Sequence, residues 1–311
     1  MIPDTPDYHR EQERKREKRI RKASRREWIK KTLIGGVGVL GLGGYMSFEA
    51  QWIDAKLKTV VLNRMRKSTK IKVLHLSDLH FSGVVPLSYL EKALKLGFAD
   101  NPDFAVITGD FVTDMPAKEE LVKYEELLKK FARKRPVFAC LGNHDGGAWA
   151  AKNGGFPTDE TIRTMLARAG VLVLQNKKKE IHIRGQRIDV VGLGDLWSQQ
   201  CLPNECLQKL AFGKRPKRNP ILLLNHNPDA KEVLASYDWD LMLSGHTHGG
   251  QLIIPFENYA PFAPVKDRSF THGLQAWKGR VIHISRGVGN AYGVRLNCRP
   301  EVTMLEITGK G

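Results

Sequence analysis

From Ile71 onward, apolar runs of three to six residues alternate with polar, glycine-rich punctuation. The runs are Ile71–Leu76, Phe104–Thr108, Val137–Leu141, Val171–Leu174, Ile188–Gly192, Ile221–Leu224, Leu241–Leu243, Val281–Ile284 and Val302–Ile307. Their length and branched side chains predict strands, several of them buried on both faces. Between some of them the period lengthens. Lys118 to Ala132 sets Leu121, Tyr124, Leu127, Leu128 and Phe131 on one stripe with Lys and Glu opposite, which predicts an amphipathic helix. Thr158 to Ala169 reads as a second helix closed by Gly170, and Pro228 can open a third at Val233 and Leu234. Strands and helices alternate in the first half and strands dominate the second. The pattern predicts a layered α/β domain, with a mixed sheet or two packed sheets, over roughly residues 56–311.

The chain before this body is patterned differently. Residues 1–31 carry 12 Lys and Arg against six acidic residues, a net +6 of the chain's +17, with almost nothing apolar after Arg10. Such an arm cannot bury a face and is expected to be solvated. Residues 32–48 then run without a charge and contain six glycines, at the short end of the roughly 17–25 residues that cross a bilayer as a helix. The preceding Ser24-Arg25-Arg26-Glu27-Trp28-Ile29-Lys30 resembles a twin-arginine export signal, although no clean cleavage site follows between Tyr45 and Ala55. We therefore expect attachment to a bacterial inner membrane by one N-terminal signal or anchor segment, whether or not it is cleaved, with the basic arm in the cytoplasm. The domain plan is an arm at 1–31, a signal or anchor at 32–48, a linker and lead-in at 49–70, and the main domain at 71–311.

Composition narrows the rest. With 41% hydrophobic and 27% charged residues the body has an ordinary globular balance. Four scattered cysteines make neither a disulfide scaffold nor a CxxC zinc site. Cys201 and Cys206 remain either a disulfide, if the domain is exported, or free thiols.

The informative residues follow the predicted strands. Ser77-Asp78-Leu79-His80, Gly109-Asp110, Gly142-Asn143-His144-Asp145, Asn225-His226-Asn227 and Ser244-Gly245-His246-Thr247-His248-Gly249-Gly250 each leave a strand's carboxyl end. In layered α/β folds such loops converge on one crevice. Imidazoles, carboxylates and one amide, without a thiolate, suit manganese, iron or zinc. Seven candidate ligands exceed what one catalytic ion takes from protein, whereas two ions about 3.5–4 Å apart, bridged by an Asp, use them naturally.

These five motifs in this order resemble the calcineurin-like metallophosphoesterase family. The stretches Gly194-Asp195-Leu196-Trp197, His246 to Gln251 and Arg295-Leu296-Asn297-Cys298-Arg299-Pro300-Glu301 are closer still to a bacterial branch of phosphodiesterases and UDP-2,3-diacylglucosamine pyrophosphatases of the lipid A pathway. The resemblance implies an αββα sandwich with mixed sheets and a dinuclear metal-dependent hydrolase of phosphodiester or pyrophosphate bonds. It implies that Asp78, His80 and His248 hold one ion, that Asn143, His226 and His246 hold the other, and that Asp110 bridges them. His144 becomes the non-ligand catalytic histidine, with Asp145 as its orienting partner. The implied substrate is phosphate-bearing and lipid-linked, with no nucleic acid expected.

Other residues carry plainer readings. His75 and His283 sit inside strands as core residues, and His9, His182 and His272 lie at the surface. Asn225 is a neighbour of the ligands, and Asp195 and Trp197 either line the cleft or make a turn. Lys177-Lys178-Lys179 reads as a charged turn, Lys214 to Arg218 as a solvated linker, and Phe256 to Phe262 as either a flap or a packed loop. Two rival functions use the same residues: a membrane-tethered protein that binds metal without turnover, and a nuclease drawing on the +17 charge. The complete ligand set with His144 speaks against the first, and the absence of an aromatic-basic stripe against the second.

Overall fold

The computed structural model describes residues 41–208, 219–254, 259–290 and 292–310. The basic arm, most of the 32–48 stretch, the Lys214–Arg218 run and part of the Phe256–Phe262 stretch lie outside the described residues. Residues 41–49 are helical, and no helix among the described residues is long and apolar enough to cross a membrane.

Twelve strands among the described residues form two mixed sheets of six. The first contains β1 (Asp54–Leu62), β2 (Lys70–Leu76), β3 (Phe104–Thr108), β4 (Val137–Cys140), β5 (Val171–Val173) and β12 (Glu301–Gly309), in the order β1-β12-β2-β3-β4-β5. The second contains β6 (Lys177–Ile183), β7 (Gln186–Gly192), β8 (Ile221–Leu224), β9 (Leu241–Ser244), β10 (Gly273–Trp277) and β11 (Arg280–Ile284), in the order β10-β11-β9-β8-β7-β6. Each sheet holds a parallel quartet, β2-β3-β4-β5 and β7-β8-β9-β11. The site-bearing loops leave the carboxyl ends of these quartets.

The period-2 geometry of strands divides each apolar run between two cores. Ile71, Val73, Phe104, Val106 and Phe138 point between the sheets and meet Val190, Leu222, Leu224, Leu241 and Leu243 from the second sheet. The alternate residues Leu74, Leu76, Ala105 and Ile107 point outward under three helices. These are α1 (Leu87–Ala99), α2 (Lys118–Ala132) and, after the single-turn α3 (Ala148–Lys152), α4 (Glu160–Arg168). The predicted stripe of α2 is the buried one: Leu121, Tyr124, Leu128 and Phe131. Outside the second sheet the described cover is thinner than an αββα sandwich implies. It consists of the short α5 (Ala230–Val233) and irregular chain carrying Leu234, Tyr237 and Trp239.

Two readings change. Lys177, Lys178 and Lys179 are not a turn but the start of β6, an edge strand whose lysines stay exposed, a common guard against edge-to-edge pairing. The 49–70 lead-in contains β1, which pairs in parallel with β12 along its whole length. Only Val60 and Leu62 of β1 are buried, and its single short apolar run, Val60–Leu62, closes a strand that is otherwise mostly charged or polar.

Among the described residues the layer between the sheets holds a small polar cluster, His75 and His283 with Thr303 and Glu301 of β12 beside them. His75 on β2 and His283 on β11 meet with Nδ1 atoms 2.8 Å apart, and His75 Nε2 lies 2.9 Å from Thr108 Oγ1. Both are the core residues that their strand positions predict. Burial, with the neighbouring imidazole, holds the His75 pKa well below 6.5, and burial pulls His283 down to about 4. Both rings are neutral when folded, and both take up protons on unfolding below pH 6.5. Their contribution to stability is therefore complete above pH 6.5 and declines as the pH falls toward 4. For His283 alone the loss between pH 7 and pH 5 is roughly 2 kcal/mol. We expect the stability gap between the wild type and His283→Gln, measured by urea unfolding in chelator, to narrow by that amount over this interval. A gap independent of pH would show that the imidazole does not titrate on unfolding.

Candidate metal centre

Each parallel quartet sends its loops to the same crevice. β2 leads to Asp78 and His80, β3 to Asp110, and β4 to Asn143 and His144; β8 leads to His226, and β9 to His246 and His248. The backbone must turn sharply to aim these side chains inward. Asp78, His80, Asp110, His246 and His248 all have left-handed φ values, between 48° and 69°. That region is rare for residues other than glycine, and it concentrates at functional sites. Gly109 has φ 86° and supplies the left-handed turn ahead of Asp110. Gly142 and Gly245 are needed for space instead. A Cβ at Gly142 would fall on the Asp110 carboxylate, and one at Gly245 on the Ser77 hydroxyl and the Asp78 carboxylate.

The side chains assemble into two overlapping groups. In one, potential ligand atoms of Asp78, His80, Asp110 and His248 all lie within 4.8 Å of one another; in the other, those of Asp110, His226 and His246 do. Asp110 belongs to both. Its Oδ2 is 3.4 Å from His80 Nε2 and 3.2 Å from His226 Nε2, on opposite wings of the site. His80 Nε2 and His248 Nε2 approach to 3.0 Å, and His246 Nδ1 and His226 Nε2 to 3.2 Å. Asn143 is buried on the Asp110 side, and its Oδ1 has no hydrogen-bond partner among the described residues.

The electrostatics fit cation binding. Burial drives the pKa values of His80 and His246 down to about 3 and that of His248 well below its ordinary value, so these rings are neutral and keep lone pairs for a metal. Burial would raise Asp110, but above all His226, with His144 and His80, holds it well below the usual carboxylate range. The same pairing overcomes burial at His226 and raises it to about 10. A carboxylate flanked by close, buried imidazole nitrogens, with an orphaned amide oxygen beside it, is a donor set compatible with two divalent ions. Its oxygen and nitrogen composition suits manganese, iron or zinc without choosing among them.

The backbone fixes the ring orientations. His226 Nδ1 donates to the Thr108 carbonyl at 2.7 Å, which leaves Nε2 facing Asp110. His80 Nδ1 lies 3.1 Å from Thr113 Oγ1. His144 is only half-buried, and its backbone N–H donates to Asp110 Oδ1 at 3.0 Å. Its Nδ1 donates to the Thr113 carbonyl at 2.8 Å, so Thr113, not Asp145, orients it. Asp145 is instead a buried clamp between two site loops. It accepts the N–H groups of Asp110 (2.9 Å), Phe111 (2.6 Å) and Gly142 (2.8 Å). Among the described residues its hydrogen bonds run to these backbone groups, and none joins it to an imidazole.

The remaining candidates separate. Asn225 donates to the Gly194 carbonyl at 3.3 Å and makes no hydrogen bond to the ligand cluster among the described residues. Asp195 accepts the Ser198 N–H at 2.7 Å, which is the turn role. Trp197 lines the cleft, its ring edge-to-face with His246 at 4.2 Å. Cys201 and Cys206 are free thiols whose pKa values burial lifts to about 11 and 12.

Three contributors escape a reading by motif. Trp149 packs against His144 at 4.6 Å. Arg295, fully buried, donates to the carbonyls of His248 (3.3 Å), Arg286 (2.8 Å), Gly289 (2.7 Å) and Cys298 (3.0 Å), and so braces a ligand-bearing loop. Glu49, also buried, accepts the N–H groups of Asn297 (3.0 Å) and Cys298 (2.6 Å), tying the start of the body to that brace. The likeness carried by Arg295 to Glu301 marks the place, but the role becomes visible only with the carbonyls in view.

Above the cluster lies a cleft of about 480 Å³, with His80, Asp110, Asn143, His144, His246 and His248 on its floor. Its rim is apolar and aromatic: Trp149, Trp197, Leu252, Phe262, Tyr292 and Val294. Phe262 and Tyr292 are 70% and 79% exposed at the rim, while Ala260, in the described end of the Phe256–Phe262 stretch, packs with Ile253, Ala263 and Val265 as a packed loop would.

Comparison with known proteins agrees with this geometry. The model of the family described as calcineurin-like phosphoesterase matches residues 71–250, the span that holds all five motifs. Phosphodiesterase YaeI of Escherichia coli (strain K12) is 39% identical over 290 residues, covering 91% of this chain and 99% of that protein. UDP-2,3-diacylglucosamine pyrophosphatase LpxG of Chlamydia muridarum is 26% identical over 278 residues, covering 76% of this chain and 83% of that protein. The uncharacterized metallophosphoesterase YkuE of Bacillus subtilis (strain 168) is 26% identical over 299 residues, covering 93% and 99%. A shared carboxylate between two imidazole groups, at the ends of two parallel quartets, is thus found where the family's own sequence pattern falls, and the chain belongs to the calcineurin-like phosphoesterase family, hydrolases that act on phosphoesters.

Proposed function

We propose that the chain is a membrane-attached phosphodiesterase or pyrophosphatase acting on a phosphate-bearing lipid, with Asp78, His80 and His248 around one ion, Asn143, His226 and His246 around the other, and Asp110 between them. The observation that carries the hydrolytic reading is the position of Asp110 in both ligand groups. Two divalent ions held there supply positive charge against phosphoryl oxygens and lower the pKa of a water toward roughly 7. The chain's own residues do the rest. The left-handed turns and the Asp145 clamp hold the ligands in place before substrate arrives, so little reorganisation remains for the reaction. With Nδ1–H committed to Thr113, His144 lines the cleft through its other nitrogen, and as an imidazolium it would pass the Nε2 proton to the leaving oxygen and remain as the neutral ring.

The lipid part of the reading is supported by the rim. Trp149, Trp197, Phe262 and Tyr292 offer apolar surface beside a charged floor, room for an apolar group carried on the phosphate. The LpxG relative, named for a UDP-linked diacyl sugar, points the same way. UDP-2,3-diacylglucosamine is the specific substrate that this likeness nominates.

Three tests follow. Asp110→Ala should abolish hydrolysis of bis-para-nitrophenyl phosphate with Mn²⁺ and lower the bound metal below two ions per chain, read by elemental analysis. Retention of both ions and activity would remove Asp110 from the centre. His144→Ala should keep both ions while turnover falls by about 10²–10⁴. Loss of metal along with turnover would move His144 into the ligand set. A basic arm kept in the cytoplasm puts the catalytic body across the membrane, whereas a UDP-linked lipid requires it on the cytoplasmic side, so an alkaline phosphatase fusion at Gly311 that is active outside the cytoplasm would support the first and remove UDP-2,3-diacylglucosamine as the substrate. An inactive fusion, with a cytoplasmic reporter active instead, would put the cleft on the side where UDP-linked lipids lie.

A further inference from the structure

A second concavity, of about 610 Å³, lies beside the start of α1 and belongs to no part of the metal centre. Its walls are Phe48, Trp52, Val84, Val85, Pro86 and Tyr89. Phe48, Trp52 and Val84 are each about half exposed, at 59%, 48% and 52%. Val84 stands in the Ser82–Val85 turn, a place where polar residues usually sit. Cations border the aromatic surface. The Arg299 guanidinium lies 3.9 Å over the Trp52 ring, and the exposed Lys92 lines the groove. Aromatic rings flanked by basic side chains form the composition found at the headgroup level of bilayers.

Chain connectivity selects the occupant. Phe48 is the last residue of the charge-free stretch, and Trp52 follows it by four residues, at most about 14 Å of extended chain. A body tethered through that stretch holds this groove within reach of the lipid surface. The groove also shares a wall with the catalytic cleft. Asn290 and Gly293 line the groove, while Tyr292 and Val294 line the cleft. Gly293 faces Val84 across the groove, where a Cβ would lie 3.1 Å from Val84 Cγ1, so one groove wall is built from the same short segment that carries Tyr292 and Val294.

We infer that the Phe48–Trp52–Val84 groove rests on the surface of an anionic phospholipid bilayer, and that the 290–294 strip sets the mouth of the catalytic cleft at that same surface. The inference rests on the membrane-attached reading above and adds the face by which the body meets lipid. A lipid-borne phosphate then enters past Tyr292 and Val294 without leaving the interface, its apolar part still in contact with lipid or rim.

The test uses the full chain in vesicles of phosphatidylglycerol and phosphatidylcholine, with an environment-sensitive fluorophore on Val84→Cys and, as control, on Val233→Cys. Val233 is exposed on α5, which covers the second sheet. Labelled wild type sets the background from the native cysteines. We expect the label at position 84 to shift blue and brighten severalfold in the vesicles, while the label at 233 stays as in buffer. Val84→Asp should leave hydrolysis of soluble bis-para-nitrophenyl phosphate unchanged and weaken hydrolysis of a vesicle-embedded diester by about tenfold. If the chain floats with the vesicles but position 84 responds no more than 233, the groove is not the lipid-facing surface and the inference fails, while membrane attachment stands. If the chain does not float, both fail. Brightening at 84 that needs no vesicles and grows with protein concentration would assign the groove to a second copy, and would also overturn the inference.

Discussion

One carboxylate serving two sets of imidazoles is the constraint around which this molecule is arranged. Asp110 is almost fully buried at the floor of the cleft, facing His80 from one side and His226 from the other. Such a site can be built only if loops from two different sheets reach one point, because β3 alone cannot supply both wings. The two packed quartets meet that need, each presenting carboxyl ends to one crevice. The approach leaves no slack. Gly142 and Gly245 are places where even a methyl group would strike the Asp110 or Asp78 carboxylate. Five ligand-bearing residues take left-handed backbone, roughly 1–2 kcal/mol each for an L-residue. Their sum rivals the whole net stability of an ordinary domain, about 5–15 kcal/mol. The surrounding structure must over-determine these turns. The Asp145 clamp and the Arg295 brace do so with N–H and carbonyl bonds, which need no participation in chemistry.

This division explains what could be read from the residues alone. The nine apolar runs are all strands, because strands inside a sheet carry uninterrupted apolar sequence. The three strands not read from the sequence, β1, β6 and β10, are sheet edges; β5, the fourth edge, was legible only because its short run is apolar throughout. An edge strand needs few buried residues and is better off with exposed lysines, so its sequence resembles a loop. The ligand types and their order were visible because metal chemistry demands particular side chains. The supporting roles were not. Asp145 looked like a partner for His144 because it adjoins it in sequence, yet its bonds go to three backbone N–H groups across the β3 and β4 loops. Thr113 orients His144 through a carbonyl, which every residue possesses and no motif can mark. Arg295 and Glu49 act likewise on backbone from far along the chain.

The same distinction separates the reaction from its substrate. The family pattern ends at residue 250, and every ligand lies within it. Leu252, Phe262, Tyr292 and Val294, four of the six apolar rim residues, lie beyond it. The floor of the cleft answers to phosphorus, whose demands on charge and geometry are the same for any ester or anhydride. The rim answers to whatever the phosphate is attached to. Relatives can therefore share all five motifs and differ in what they cleave, since a change at Phe262 or Tyr292 alters apolar contact without disturbing a single ligand. The strip at 290–294 binds these levels together. Gly289, just before it, packs against the Leu79 carbonyl between two ligands, and its backbone is held by Arg295. The residues just before the rim positions Tyr292 and Val294 are thus anchored to the metal loops, because one guanidinium, that of Arg295, holds both the Gly289 and the His248 carbonyl.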